Sequence, residues 1–137
     1  MHKELDHHSA LIQTMVLVSA AEGRMSDREL AVMGRVVRHL PIFADFDADR
    51  IIEVGNSCAE LLTQEDGLDV ALARIGRALS APLRETAYAL ACDVAAADGD
   101  PAEAELRMLV LIRHRLHIDR LAAAAIARGA QARHRTL

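Results

Sequence analysis

Four carboxylates carry the most readable chemistry in this chain. Glu22 and Glu29 lie in EGRMSDREL, residues 22–30, and Asp98 and Glu105 lie in DGDPAEAEL, residues 98–106. Carboxylate oxygens are hard donors, suited to calcium, magnesium or manganese rather than to copper or zinc. The same residues fit a structural role. Acidic side chains in a first helical turn complement the helix dipole by about 0.3–1 kcal/mol, and Gly23 and Gly99 can take the left-handed conformation that ends a helix. Neither loop is an EF-hand, which needs oxygen ligands at its first, third and fifth positions, Gly at the sixth and Glu at the twelfth. Counting from Asp98 gives Asp100, Ala102, Glu103 and Leu109; counting from Glu22 gives Arg24, Ser26, Asp27 and Met33. The stretch AAADGDPAEAEL, residues 95–106, is therefore expected to stop and restart a helix first and to bind a cation second. Asp98 and Glu105 would be the ligands there, with Glu22 and Glu29 as counterparts. So few local ligands imply weak affinity, on the order of 10⁻⁴–10⁻³ M. Changing Asp98 and Glu105 to their amides is expected to remove cation binding at a cost of at most about 1–2 kcal/mol in capping.

Other candidate chemistry is thinner. His2, Asp6, His7 and His8 could chelate a metal, but at a chain end that makes an imprecise site. His114 and His117 are three apart, as paired ligands on one helix face would be, yet Arg113 and Arg115 flank the first and end-capping is the better reading. Cys58 and Cys92 sit in apolar patterns without zinc spacing and read as buried thiols. There is no nucleophile elbow and no phosphate-cradling glycine loop, so no catalytic or cofactor-binding residue is assigned and an enzyme is not expected. Arg128, Arg133, His134 and Arg135 are either a solvated basic tail or a docking strip for an acidic partner or an anionic lipid surface.

The elements that must hold these residues are helical. Hydrophobic residues make up 52% of 137 positions while aromatics are 2%, so the core must be aliphatic, a bias that favours helices over strands. A formal charge of −4 and a near absence of stacking rings argue against nucleic-acid binding. MHKELDHH lacks the apolar core of a signal peptide, and runs such as MVLVSAA are too short to span a bilayer, so a cytoplasmic chain is expected.

Apolar spacing places helices from about Leu5 to Ala21, from Ser26 to Pro41, from Asp47 to Leu62, after a turn around Gln64–Gly67 from Leu68 to Leu79, and from Ser80 to Ala97. A sixth is expected to begin at Asp100-Pro101 and end near Leu116, and a seventh follows Asp119. Phe43 and Phe46 should anchor the turn after the second. The expectation is a single all-α domain over 1–137, a compact bundle of about seven helices, with 1–7 and 132–137 mobile. Met15, Val18, Met33, Val37, Leu90, Val94, Leu109 and Ile112 should face its core.

Residues 18–40 laid over 94–116, a shift of 76, pair Val18 with Val94, Gly23 with Gly99, Glu29 with Glu105, Leu30 with Leu106 and Leu40 with Leu116. A helix–acidic turn–helix hairpin is thus written twice. Ala-Ala, an acidic residue, Gly, five residues, then Glu-Leu, on seven helices, resembles the tellurite-resistance TerB family over about residues 8–130. That fold group is shared with the amino-terminal domain of the membrane-anchored co-chaperone DjlA. This chain departs from the family pattern at Glu22, where Asp is usual, and at Pro101 and Ala102, which replace an apolar residue and the usual cap. The resemblance implies an all-α, non-enzymatic, stress-associated protein encoded beside tellurium-resistance genes, whose acidic residues are proposed to bind divalent metal and which signals to a protein partner. The co-chaperone branch implies instead an interaction module without a metal role.

Overall fold

The computed structural model describes residues 5–23 and 25–137. Among them are seven helices and no strand: α1 (His7–Ala20), α2 (Asp27–His39), α3 (Ile51–Leu62), α4 (Gly67–Ala78), α5 (Ala81–Ala95), α6 (Glu103–Arg115) and α7 (Arg120–Arg133). Short 3₁₀ turns, Pro41–Phe43 and Ala48–Arg50, lead from α2 into α3. Pro41 follows the last α2 residues because its ring cannot continue the helix.

α1 is the axle of the bundle. Every residue from Ser9 to Ser19 is buried, and the helix packs against α2, α3, α4, α5 and α6. The cause is visible in the chain: no charged residue occurs between His8 and Glu22, so no face of this helix prefers water. Thr14 satisfies its hydroxyl on the Ala10 carbonyl at 2.8 Å. α5 lies beside α1 and is covered in turn by α6 and α7. Met15, Val18, Met33, Val37, Leu90, Val94, Leu109 and Ile112 are all buried, as their spacing requires.

Helix ends explain how the elements meet. Asp6 accepts the Ser9 amide at 2.7 Å and starts α1. Arg84 on α5 donates to the Gly76 and Leu79 carbonyls, satisfying the end of α4 from the neighbouring helix. His8 donates through Nε2 to the Ile42 carbonyl at 2.7 Å and its ring stacks on Phe43 at 5.5 Å. Phe43 is buried and Phe46 half-buried, so both rings fasten the α2–α3 connection to α1.

α6 stops through a left-handed residue. His117 has φ 56°, its amide donates to the His114 carbonyl, and the Ile118 amide donates to Arg113 at 3.0 Å. Buried Ile118 completes this Schellman-type stop. A side chain with a Cβ is strained at that φ, and His117 is exposed, so His117→Gly is expected to stabilise the fold by about 0.5–1 kcal/mol. Urea denaturation of the variant checks this; an unchanged or lowered midpoint would contradict it.

One expectation at a turn changes. α6 begins at Glu103, not at Asp100-Pro101, with Ala102 in the cap position. α7 runs through Arg133, and residues 1–4 lie outside the described residues.

Candidate functional site

Both hairpin turns are built alike. The Gly23 amide donates to Ala20 at 2.8 Å and the Gly99 amide to Ala96 at 3.1 Å. Both glycines have positive φ, 83° and 102°, a region that favours a residue without a Cβ. The chain then extends through Ser26 (φ −79°, ψ 163°) or Ala102 (φ −66°, ψ 157°) into α2 or α6. Glu29 reaches back to accept the Ser26 amide at 2.8 Å, and Glu105 accepts the Ala102 amide at 3.2 Å. Each glutamate thereby lies in its helix's first turn, where the positive end of the dipole favours a carboxylate.

The two turns differ at the cap position, and the site follows from it. Ser26 accepts the Glu29 amide at 3.1 Å, which completes a capping box, and its hydroxyl donates to Asp98 Oδ2 at 2.8 Å. Ala102 has only a methyl and can do neither. Asp98 is therefore tied to the opposite hairpin, while Glu22, its counterpart, has no serine to hold it. Single carboxylate oxygens of Glu22, Glu29 and Glu105 all lie within 4.8 Å of one another. Asp98 stands outside this group of three. Of the four carboxylates singled out in the sequence, the fold brings three together and gives the fourth to Ser26.

Removing the Ser26 hydroxyl should show its weight. Ser26→Ala is expected to cost about 1–2 kcal/mol, whereas Ala102→Ser, at the same backbone conformation, is expected to gain about 0.5–1 kcal/mol. Chemical denaturation measures both, and equal small effects at the two positions would break the proposed asymmetry.

The triad is electrostatically uncomfortable. Glu29 is 1% exposed and Glu105 4%, and among the described residues neither forms an ion pair with a basic side chain. One Glu105 oxygen takes the Ala102 amide; the other, Oε2, is buried without a hydrogen-bond partner of good geometry. Burial pushes the Glu105 carboxyl up to about 7, and the facing Glu29 carboxyl and the charges of Glu29 and Glu22 add to it, with only the Ala102 amide pulling it down. A carboxyl so placed needs a proton or a cation.

Residues 8–128 match the family model described as tellurite resistance protein TerB. The chain belongs to the TerB family. No curated protein and no solved structure matches it significantly. The matched span of this TerB-family chain contains both acidic turns and all of the triad.

The other sequence candidates have different employment in this TerB-family fold. Asp6 caps α1 and His8 is bonded to Ile42, while His2 lies outside the described residues. His114 is on α6 but His117 is beyond its end in the left-handed turn, so the two do not share a helix face. Burial pushes the Cys58 thiol up to about 11 and the Cys92 thiol up to about 12, which keeps both as unreactive thiols near neutral pH. In the basic strip, Arg133 is bonded to Asp93 on α5 at 2.6 Å and His134 approaches the same oxygen at 3.4 Å. Arg128 and Arg135 remain exposed. No helix among the described residues is long and apolar enough to cross a membrane.

Two features escaped the sequence reading. The Ser26–Asp98 bond spans 72 residues, and its only signal was the Ser/Ala mismatch between repeats. The second is an apolar groove of about 360 Å³ between α1, α2 and α3. Leu30 on its border is 51% exposed.

Proposed function

We propose that this TerB-family chain is a non-enzymatic, stress-associated module that takes up a divalent cation of the calcium, magnesium or manganese class between its two acidic hairpins and passes that state to a protein partner. Glu22, Glu29 and Glu105 are the ligands, and Asp98 acts through Ser26 to hold the hairpins together. The single observation that carries this reading is the buried Glu105 Oε2, without a hydrogen-bond partner of good geometry and facing two further carboxylates.

The residues fit such an ion. Ligand oxygens on opposite sides of calcium, at about 2.3–2.6 Å each, stand roughly 4.6–5.2 Å apart. Oxygens within 4.8 Å of one another can therefore surround calcium with little movement. Glu22 is exposed, which leaves an entry path and room for water ligands. Three protein carboxylates with water completing the shell support weak binding, about 10⁻⁴–10⁻³ M.

Calorimetric titration of chelator-treated protein with calcium, magnesium, manganese and zinc tests the proposal. Heat is expected for the hard cations, and Glu105→Gln is expected to abolish it. Binding by Glu105→Gln as tight as by the parent would refute the site. Asp98→Asn should weaken binding less than Glu105→Gln, because Asp98 lies outside the triad.

A further inference from the structure

The groove between α1, α2 and α3 is lined by Val16, Met25, Leu30, Met33, Ile52 and Gly55, among others. Leu30 and Ile52 on its border are 51% and 74% exposed, so the chain leaves two large aliphatic side chains in water beside an apolar trough. Gly55 on α3 lines the trough without a side chain. A Cβ added there would be 4.0 Å from Val16 Cγ2, ordinary contact, so packing against α1 does not forbid a larger residue at this position. A volume of about 360 Å³ accepts roughly two or three aliphatic side chains of the kind an amphipathic helix presents at i, i+3, i+4 and i+7.

The charge around the groove identifies what it suits. Met25 lines both the groove and the adjoining cleft that contains Glu22 and Asp27, so apolar and acidic surface are continuous. Along α3, exposed Glu53 and Glu60 lie one turn either side of Asn56, which also lines the groove, and exposed Asp49 precedes Ile52 by three residues. Two arginines stand near these acidic residues in the chain, Arg38 on α2 and exposed Arg50 next to the lining residue Ile51. α1 ends at the groove with Ala20, and the negative pole of that helix adds to the same field.

We infer that this groove docks an amphipathic helix of a partner protein, with leucine-, isoleucine- or methionine-type anchors in the trough and lysine or arginine residues against the acidic rim. The inference does not require a cation in the glutamate triad, so it stands or falls separately from the proposed function. An acidic rim disfavours an anionic membrane, and it disfavours an acidic peptide equally.

The test is fluorescence anisotropy in chelator, with a labelled helical peptide of leucines at every third and fourth position and lysines elsewhere as probe. The parent chain is expected to bind it. Leu30→Asp with Ile52→Asp should weaken binding about tenfold or more, while Val110→Asp with Leu121→Asp, exposed apolar residues away from the groove, should leave it unchanged. A peptide carrying glutamate in place of lysine should bind about tenfold more weakly or worse. Circular dichroism confirms that the surface variants remain folded. The inference is overturned if the parent does not bind, if the groove variants bind as the parent does, or if the glutamate peptide binds equally well. It is also overturned if light scattering shows a parent dimer that Leu30→Asp with Ile52→Asp dissociates, since a second copy then fills the groove. Binding of phosphatidylglycerol vesicles through the same two residues would overturn it in favour of a lipid surface.

Discussion

In the presence of chelator, the chain is expected to lose stability as pH rises from about 4.5 to 7.5, and Glu105→Gln is expected to remove most of that loss. The folded Glu105 carboxyl is pushed up to about 7 from an ordinary value of 4.5, first by burial, then by the facing Glu29 and the Glu22 charge. Below about 4.5 the folded and unfolded chains both hold this proton, and the stabilisation is complete. Between the two values the unfolded chain releases the proton while the folded chain keeps it, so stability falls with pH. Above about 7 both are ionised and the loss is fully expressed. Glutamine keeps an acceptor for the Ala102 amide and carries no charge, so the variant avoids the loss. Calcium should offset the same loss in the parent, by roughly 1–2 kcal/mol at ten times its dissociation constant, and leave Glu105→Gln unmoved. Urea denaturation at a series of pH values, with and without calcium, measures all of this. Parallel pH profiles for parent and variant would remove the electrostatic argument for the triad.

The sign of that prediction was not legible in the sequence. There, the amide changes at Asp98 and Glu105 are expected to cost a little through lost capping. Burial reverses the expected direction at Glu105, because a carboxylate capping a helix in water and one facing a second buried carboxylate differ in solvation. Residue spacing gives the cap but not the desolvation.

What the sequence does convey is local and periodic. Ser26 three residues before Glu29 signals the capping box, the glycines at a shift of 76 signal the two turns, and apolar spacing signals the buried face of each helix. It fails where one residue changes the outcome or where distant elements meet. Asp98 was the natural ligand by repeat logic, yet the Ser26 hydroxyl, absent at Ala102, gives Asp98 a partner and leaves Glu22 to the cluster. The start of α6 was misplaced because Asp100-Pro101 resembles a helix opening, whereas the repeated geometry begins the helix after Ala102, as the other begins after Ser26. His117 falls just past the end of the sixth helix expected near Leu116, but its left-handed conformation leaves no pattern in spacing.

Leu17 and Leu30 offer the sharpest contrast between periodicity and position in the fold. Leu17→Ala is expected to destabilise the chain by about 3–5 kcal/mol, while Leu30→Ala is expected to change stability by less than about 1 kcal/mol. Both are leucines in helices flanking the first acidic turn. Leu17, however, lies on the helix packed by five others and is 0% exposed, whereas Leu30 is 51% exposed on the groove border. Truncation at Leu17 removes apolar contact and leaves a cavity that a helix held on all sides cannot easily collapse. Against a total stability of about 5–15 kcal/mol, that loss should lower the melting temperature by roughly 10–20 °C. Calorimetry of the two variants in chelator, at a pH near 4.5 where the Glu105 penalty is small, separates the packing effect from the triad. If Leu17→Ala melts within a few degrees of the parent, α1 is not the axle of this bundle, and the rigid mounting that brings Glu22 to Glu29 and Glu105 loses its foundation.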